Sequence, residues 1–232
     1  MSKVTAIVLA AGQGRRMNSP VAKQFLSLQG KPVLYYSLKA FQESSVDEIL
    51  LVTGEGQMEY CRKEIVDLYQ ISKVKHVVEG GRERYDSVYR GLQYADPTDY
   101  VLIHDGARPF ITSALINGMI EQVKECRACL IGMPVKETIK VVGEDGTIQA
   151  TPKRSMLWAA QTPQAFAFSS IKDAYEALYR EEDRGRLEIT DDAMVYEAYQ
   201  KLPVKMLPGD YNNIKLTTPE DLILAEQILK LG

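Results

Sequence analysis

Short apolar runs alternate with amphipathic segments along the first half of the chain. The run Val4–Ala10 is almost continuously apolar and ends at Gly12 and Gly14, which is typical of a strand buried on both faces of a parallel sheet. Similar strands are predicted at Glu48–Thr53, 75–78 and 99–104, and helical spacing at 32–42, 58–69, 84–95 and Ser113–Cys126. Four strand–helix units in series predict an α/β fold with an open, mostly parallel sheet and helices on both faces.

The segment 136–156 has a different pattern. Residues 138–142 and 147–150 alternate apolar with polar side chains on either side of Gly143-Glu144-Asp145-Gly146, which is a hairpin signature. Few large apolar residues are available there to dock on a core, so we predict a protruding β-hairpin arm. The rest of the chain is predicted as an apolar run at 157–168, helices at 169–182 and 191–200, a strand at 204–207 and a last helix from near Thr218.

The length, composition and net charge of the chain favour one ordinary globular domain that binds no nucleic acid. The chain has 232 residues, of which 45% are hydrophobic and 25% charged, and this fits a single domain spanning 1–232. A formal net charge of -3 offers no basic field to a nucleic-acid backbone, so an anionic ligand must be held by local groups of Lys and Arg. No run approaches the ~20 apolar residues that a membrane span requires.

Cysteine usage favours a reducing, cytoplasmic location. Cys61, Cys126 and Cys129 are too few for a disulfide-stapled secreted scaffold. Cys126 and Cys129 have the spacing of a zinc half-site, but there is no second pair and the chain has two histidines, His76 and His104. Zinc or redox use is therefore disfavoured.

The glycine-rich segment after the first strand is the most informative part of the sequence. In Ala10-Ala11-Gly12-Gln13-Gly14 the small side chains let backbone N–H groups approach phosphate oxygens, and the cations Arg16 and Lys23 follow. It is not a dinucleotide fingerprint, because Met17 stands where a third glycine would fall, and no Gly-Lys-Ser/Thr of a P-loop follows. A plain glycine turn is the alternative. The position after a strand and the added Lys23 favour a phosphate-binding loop.

Two further loops are expected at the same edge, since ligands of open α/β sheets bind outside the carboxyl ends of the strands. Gly80-Gly81-Arg82-Glu83-Arg84 follows the third strand, with Ser87 one turn into the next helix. Asp105-Gly106-Ala107-Arg108-Pro109 follows the fourth, where a carboxylate can hold Mg²⁺ bridged to phosphates or a ribose hydroxyl. The alternatives are a plain turn with a charged cap and a turn-initiating aspartate, respectively.

Six motifs lie in order along nearly the whole chain, and they are specific in combination. They are the glycine loop with Lys23, Gly80-Gly81 to Ser87, His104-Asp105-Gly106-Ala107-Arg108-Pro109, Gln161-Thr162-Pro163-Gln164, Thr190-Asp191-Asp192-Ala193, and Asn213-Ile214-Lys215-Leu216-Thr217-Thr218-Pro219-Glu220-Asp221. Together they resemble the 2-C-methyl-D-erythritol 4-phosphate cytidylyltransferases of non-mevalonate isoprenoid synthesis. The resemblance implies a Rossmann-like domain that transfers CMP from CTP to this sugar-alcohol phosphate and releases pyrophosphate, with Mg²⁺ or another divalent cation.

The resemblance also implies roles for individual residues. The catalytic, phosphate-handling positions would be Arg16, Lys23 and Lys215. The nucleotide-binding positions would be Ala10, Ala11, Gly12, Gly14, Gly81, Arg82, Ser87, Asp105 and Gly106, with Asp105 also a metal ligand. The sugar-alcohol phosphate would be bound by Arg108, Thr138, Arg154 and Thr190. Because Thr138 and Arg154 would come from the arm of a neighbouring subunit, a homodimer is expected.

Such a reaction needs charge compensation and no general base. The attacking group is a phosphate monoester, which is largely ionised near neutral pH because its second pKa is about 6. Negative charge shifts onto pyrophosphate as the α-phosphorus is displaced in line. Arg16, Lys23 and Lys215, with Mg²⁺, could compensate that charge.

Two alternatives differ from this interpretation. A ribitol 5-phosphate cytidylyltransferase would share the glycine loop, Lys23 and the Thr-Pro-Gln stretch, whereas 104–108 and Leu157-Trp158 favour the erythritol enzyme. A non-catalytic CTP-binding regulatory protein would be expected to lack a phosphate-handling cation, yet Arg16, Lys23 and Lys215 are all present.

Overall fold

The structure is a computed structural model that describes residues 2–12, 21–181 and 188–231. Its strands are β1 (Val4–Ala10), β2 (Ser27–Leu28), β3 (Lys31–Pro32), β4 (Glu48–Thr53), β5 (Val74–Glu79), β6 (Tyr100–Asp105), β7 (Ala128–Pro134), β8 (Val141–Val142), β9 (Ile148–Ala150), β10 (Trp158–Ala167) and β11 (Lys205–Pro208). Its helices are α1 (Val33–Gln42), α2 (Met58–Tyr60), α3 (Arg84–Tyr94), α4 (Ser113–Cys126), α5 (Phe168–Arg180), α6 (Asp192–Gln200) and α7 (Pro219–Leu231). None of these helices is long and apolar enough to cross a lipid bilayer.

In the described part of the chain, seven strands form one central sheet in the order β11-β7-β10-β6-β1-β4-β5. β1 lies at its centre and pairs in parallel with β4 and β6, while β5 extends the parallel half beyond β4. β10 runs antiparallel to both of its neighbours, β6 and β7, and β11 is parallel to β7. The predicted mostly parallel α/β sheet is confirmed.

Both faces of β1 are buried, which explains its continuous apolar run. Ala6, Val8 and Ala10 belong to the core cluster on one face, which also contains apolar residues of α1 and α4. Ile7 and Leu9 belong to the cluster on the opposite face, which includes residues of α3, α5 and α6. A strand that packs helices on both sides has no face left for polar residues.

The parallel register brings the ends of four strands to one edge of the sheet. Ala10 of β1 lies opposite Thr53 of β4, and Thr53 lies opposite Glu79 of β5. On the other side Leu9 lies opposite Asp105, the last residue of β6. The segments that follow these strands therefore start side by side.

Several details differ from the sequence prediction. The helix expected over 58–69 begins as α2 and continues as a π-helical segment, Cys61–Asp67. The short hairpin of β2 and β3 was not predicted, and neither was the antiparallel direction of β10. β6 ends at Asp105 rather than at His104, so the carboxylate belongs to the sheet and not to the loop.

The predicted hairpin arm is present. β8 pairs antiparallel with β9, and every residue of both strands is exposed. Several apolar side chains of this segment contact solvent: Ile139, Val141, Val142, Ile148 and Met156.

Candidate active site

A cavity of about 980 Å³ opens at the carboxyl edge of the parallel strands. Its walls come from the segments after β1, β4 and β5, from the first turn of α3 and from the ends of β6 and of the 209–215 segment. The sequence-predicted site residues that line it are Ala11, Gly12, Lys23, Gly81, Arg82, Ser87, Asp105 and Lys215. Residues far apart in sequence thus meet in one pocket.

Lys23 lies beside the segment that follows β1. The Nε2 atom of Gln24, which is 2% exposed, donates to the carbonyl of Ala10 at 2.6 Å and so ties the turn Lys23–Phe25 to the end of the strand. A Cβ atom placed on Gly12 would lie 4.0 Å from Cε of Lys23. The lysine stem therefore runs next to Gly12. The predicted site residues Gly14 and Arg16 lie outside the described residues.

One part of the cavity, here called the glycine slot, is lined by Ala11, Gly80 and Ser87. A Cβ atom on Gly80 would lie 2.6 Å from Oγ of Ser87 and 2.8 Å from Cβ of Ala11, so only glycine fits between them. The backbone N–H of Gly81 donates to Ser87 Oγ at 3.1 Å, which fixes the hydroxyl in this wall. Arg82, by contrast, is 94% exposed at the mouth of the cavity.

The carboxylate of Asp105 is held between two cations. Nε of Arg84 donates to Oδ1 at 3.0 Å, and the ammonium of Lys215 lies 2.6 Å from Oδ2. Burial alone would raise the pKa of Asp105, but Arg84, Lys215 and Arg108 hold it well below its usual range. Asp105 is therefore ionised near neutral pH.

Arg84 is a site residue that the sequence analysis did not single out. Besides Asp105 it binds Asp192, which lies 108 positions further along the chain, through both terminal nitrogens. Burial would lower the pKa of Arg84, but the two carboxylates raise it well above its ordinary value. The only sequence signal was a cation after a glycine pair, and nothing local indicated its distant partner.

His104 is buried and cannot serve as a base for the cavity. The carbonyl of Arg108 can only accept, so Nε2 at 3.3 Å carries the proton, and Nδ1 accepts from the Thr162 hydroxyl at 3.1 Å. Burial lowers the pKa of His104 to about 3. Both ring nitrogens are thus occupied and the ring is neutral near pH 7.

Gly106 and Arg108 support the cavity from behind and do not line it. The N–H of Gly106 donates to the carbonyl of Leu9 at 2.8 Å, and a Cβ there would approach Cδ1 of Leu34 to 2.7 Å. Nη1 of Arg108 donates to the carbonyl of Asn213 at 2.8 Å, and burial lowers the arginine pKa. Asn213 precedes Lys215 by two positions, so Arg108 fixes the segment that carries this lysine.

The remaining predicted substrate-binding residues are exposed and are not among the residues that line this cavity. Thr138 and Arg154 belong to the arm, where Nη1 of Arg154 donates to the carbonyl of Lys136 at 3.1 Å. Thr190 lies just before α6, with its hydroxyl 3.9 Å from the sulfur of Met194. Within the described part of one chain, the structure does not bring these three residues to the pocket.

Asp105 is the predicted ligand of Mg²⁺, and the donor groups around it can be compared with those that Mg²⁺ prefers. Among the described residues, no three His, Cys, Asp or Glu side chains are arranged to hold a metal ion. Mg²⁺ often uses only one or two carboxylates together with substrate phosphates, and a carboxylate with two partners retains lone pairs. The donors present therefore fit an ion that arrives with a nucleotide, and they do not form a cage of protein ligands.

Comparison with known proteins identifies the family. The sequence model described as 2-C-methyl-D-erythritol 4-phosphate cytidylyltransferase matches residues 4–231. The chain belongs to this family. It is 51% identical over 230 residues to the 2-C-methyl-D-erythritol 4-phosphate cytidylyltransferase of Lachnoclostridium phytofermentans, covering 99% of this chain and 97% of the relative. It is 50% identical over 227 residues to the enzyme of the same name from Lachnospira eligens.

Solved cytidylyltransferase structures have the same fold. The crystal structure of the 4-diphosphocytidyl-2C-methyl-D-erythritol synthase from Anaerococcus prevotii superposes with a TM-score of 0.85 at 32% identity and covers 99% of each chain. The 2-C-methyl-D-erythritol 4-phosphate cytidylyltransferase from Thermus thermophilus gives 0.77 at 28% identity, over 97% of this chain and 98% of the other. The family and the enzyme class predicted from the six motifs are confirmed.

Proposed function

We propose that this chain transfers CMP from CTP to the phosphate of 2-C-methyl-D-erythritol 4-phosphate, releasing pyrophosphate, in the cavity at the carboxyl edge of the sheet. One observation carries this proposal: the glycine slot, Asp105 and two lysines, Lys23 and Lys215, line a single pocket. A slot for a flat base, an anchor for a ribose and cations for phosphates are the parts that a nucleotidyl transfer needs.

The slot between Ala11, Gly80 and Ser87 is suited to the cytosine. Its walls are backbone and small side chains, which offer hydrogen bonds to the edge of a base. The backbone at Ala10, Ala11 and Gly12 would then face the triphosphate. Asp105 and Gly106 would lie near the ribose.

The acceptor phosphate would attack without help from a base. A phosphate monoester has a second pKa of about 6, so the nucleophile is already ionised near neutral pH. The buried histidine of the site agrees with this, because His104 has both nitrogens engaged and a pKa lowered to about 3. The protein must instead bring two anions, the acceptor phosphate and the triphosphate of CTP, close together.

Lys23 and Lys215 supply positive charge for that approach. Lys23 lies next to Gly12, where the phosphates of CTP would bind, and Lys215 lies at Asp105. In a partly dehydrated cavity such charges act more strongly than at the surface. By its resemblance to the family motif, Arg16 would add a third cation on the triphosphate side.

Asp105 would hold Mg²⁺ together with phosphate oxygens of CTP. A bound divalent ion supplies further positive charge next to the triphosphate. Lys215, paired with Asp105 in this structure, would remain in the same place to face the acceptor phosphate.

Thr138 and Arg154 would act in the site of a second subunit. Both are exposed on the arm, and no arm residue lines the cavity of its own chain in the described part. The arm also exposes Val142 and Ile148, 52% and 58% accessible, which a partner could cover. These observations support a homodimer that shares its sites, with Arg108 and Thr190 as the acceptor contacts of the home subunit.

We place this reaction in the cytoplasm. The thiols of Cys61, Cys126 and Cys129 are free, and burial raises the pKa of Cys61 to about 12, so that it stays an inert thiol. Free thiols are typical of a reducing compartment.

Pyrophosphate release tests the proposed function. CTP and Mg²⁺ are incubated with the purified chain and with 2-C-methyl-D-erythritol 4-phosphate or ribitol 5-phosphate. Rapid release with the first acceptor and at least tenfold lower kcat/KM with the second is expected, since a polar site discriminates strongly between differently placed hydroxyls. Preference for ribitol 5-phosphate would indicate the other cytidylyltransferase, and CTP binding without release would indicate a regulatory protein.

A further inference from the structure

Two acids, an arginine and a tyrosine form a cluster that extends from the wall of the candidate active site into the core. The two terminal nitrogens of Arg84 donate to the two carboxylate oxygens of Asp192 at 2.9 and 2.8 Å, while Nε donates to Asp105 at 3.0 Å. The phenol of Tyr175 donates to Oδ1 of Asp192 at 2.7 Å. Asp192 and Tyr175 are both 0% exposed. The cluster links α5 and α6 to the last residue of β6.

The carboxylate of Asp192 is not needed to start α6. The helix is capped by the preceding residue, because Oδ1 of Asp191 accepts from the N–H of Met194 at 2.9 Å. The N–H groups of Asp192 and Ala193 donate to Oε1 of Gln164 at 3.0 and 2.9 Å. In the described structure, the side chain of Asp192 bonds only Arg84 and Tyr175.

The hydrogen-bonding geometry of Arg84 explains how the carboxylate of Asp192 affects Asp105. A guanidinium prefers to bind a carboxylate with two parallel N–H groups, and such bidentate pairs are the strongest of their kind. Asp192 occupies that fork, so Asp105 receives only the single Nε–H. Without Asp192, the fork of Arg84 would turn to Asp105 as the nearest carboxylate and engage both of its oxygens.

That rearrangement would change the active site. Oδ2 of Asp105 is now free of Arg84 and lies 2.6 Å from the ammonium of Lys215. Asp105 and Lys215 both line the cavity, whereas Asp192 does not. A bidentate Arg84 would compete with Lys215 and with the nucleotide for the same carboxylate.

We propose that Asp192 is a positioning residue for the transfer reaction, which acts by occupying the fork of Arg84 and so leaves Asp105 available to Lys215 and the nucleotide. Tyr175 supports it by fixing one oxygen of Asp192. This inference rests on the proposed function for its catalytic consequence, but its geometry concerns Arg84 and Asp105 alone.

A kinetic double-mutant cycle tests the proposal. We expect Asp192→Asn to lower kcat/KM for CTP by about tenfold, within the range of coupling between residues of one polar network. In an Arg84→Ala background, Asp192→Asn should lower kcat/KM for CTP by less than twofold, because the guanidinium that would turn to Asp105 is absent. If the role of Asp192 is merely structural, Asp192→Asn will lower kcat/KM for CTP by the same factor in both backgrounds, and that result would overturn the proposal.

Asp191→Ala is the matched control. It removes the neighbouring carboxylate, which caps α6 and has no contact with Arg84. Its effect on kcat/KM for CTP should be equal in the wild-type and Arg84→Ala backgrounds. A loss for Asp191→Ala that also disappeared in Arg84→Ala would show that the helix start and not the carboxylate of Asp192 is being measured, and would overturn the assignment.

Two further measurements keep the result interpretable. If Asp192→Asn does not fold, Tyr175→Phe replaces it in the cycle, since it removes one hydrogen bond and no charge; we expect a loss of about twofold to fivefold that vanishes with Arg84→Ala. CTP affinity, measured by calorimetry, gives the cycle a readout without an acceptor. A wild type that binds CTP but releases no pyrophosphate refutes the proposed function, whereas an additive cycle in CTP affinity refutes the role of Asp192.

Discussion

At the scale of single residues, the site depends on cations that come from opposite ends of the chain. Lys23 reaches the cavity from a turn that Gln24 ties to the end of β1, and Lys215 reaches it from a segment that Arg108 holds. Neither lysine is at a strand end. The position of each lysine depends on a hydrogen bond made by another residue, so the charge and its support are provided by different side chains.

Replacement of Lys23 should damage turnover more than binding. If Lys23 stabilises charge that develops on the leaving phosphates, we expect Lys23→Ala to lower kcat by roughly 10²–10³, as is usual when one preorganised donor is deleted. Steady-state pyrophosphate release measures this.

Lys63→Ala is the control for this prediction. Lys63 forms an exposed pair with Glu59 at 2.7 Å, away from the cavity, and such pairs contribute little. Its kcat should stay within twofold of wild type. A Lys23→Ala enzyme that is folded and equally fast would remove Lys23 from the chemistry.

His104 should make stability fall in acid. The unfolded imidazole takes up a proton near pH 6.5, whereas the native one does so only at about 3. Between these values the unfolded state binds more protons, so the free energy of unfolding decreases as pH falls, by up to roughly 1.4 kcal/mol per pH unit from this group. Urea unfolding at pH 7, 5 and 4 measures the slope.

His104→Gln should reduce that slope, because the amide of glutamine takes up no proton in this pH range. Equal pH slopes for wild type and His104→Gln would contradict the buried neutral ring.

Single residues were predictable where the chemistry is local. Asp105 and the glycine loop follow from residue type next to a predicted strand end, and Lys23 follows as a cation beyond that loop; the structure puts the described ones into one pocket. Arg84 was not predictable, because its role depends on Asp192, 108 positions away, and on two carboxylates that converge only in the folded chain. The proposed action of Thr138 and Arg154 in the site of a second subunit stays a prediction.

At the scale of elements, the junction between β5 and α3 creates the slot. Gly80 follows β5 and packs against Ala11 of the neighbouring segment, and Ser87 completes this wall one turn into the helix. Because a Cβ at Gly80 would approach Ala11 and Ser87 to less than 3 Å, only glycine allows this close packing.

Gly80→Ala should weaken CTP binding. Overpacking of a tight site costs about 1–3 kcal/mol, and a cost of that size borne by the CTP complex corresponds to an increase of about 5- to 150-fold in KM for CTP. KM for the sugar-alcohol phosphate should change much less. An unchanged KM for CTP in a folded variant would place the base elsewhere.

Gly118→Ala is the matched control on α4. This glycine is exposed, and a Cβ there would meet nothing within 4 Å. We expect an increase in the free energy of unfolding of roughly 0.5–1 kcal/mol, because alanine favours a helix over glycine, with no effect on KM for CTP. Thermal or urea unfolding measures the gain.

Elements were predictable where one periodicity dominates. β1, β4 and α4 follow directly from apolar runs or helical spacing, and their observed bounds agree with the predicted ones. The direction of β10 was not predictable, because the apolar run at 157–168 is compatible with a parallel or an antiparallel strand. It lies between β6 and β7 only through long-range pairing, and its register shifts between Ala160 and Gln164.

At the scale of the whole molecule, the proposed nucleotide half and acceptor half of the site differ in construction. The proposed nucleotide half lies at the sheet edge, with partly buried ion pairs at Asp105. The predicted acceptor residues Thr138 and Arg154 lie on the exposed arm and do not line the cavity of their own chain. Among the described residues, the cavity of one chain therefore includes only part of the proposed contacts.

Subunit mixing tests whether two chains complete each other's sites. Arg154→Ala should mainly raise KM for the sugar-alcohol phosphate, and Lys23→Ala should lower kcat. In a mixed dimer one site combines both defects, while the other has the intact Lys23 of one chain and the intact Arg154 of its partner. We expect the mixture, once subunits have exchanged, to release pyrophosphate faster than the mean of the two separate variants at low acceptor concentration, with a KM near that of wild type. Exchange is verified by mass on differently tagged chains. If exchange is demonstrated and the rate is only that mean, each site uses the arm of its own chain, and the hairpin must bend back to reach the cavity.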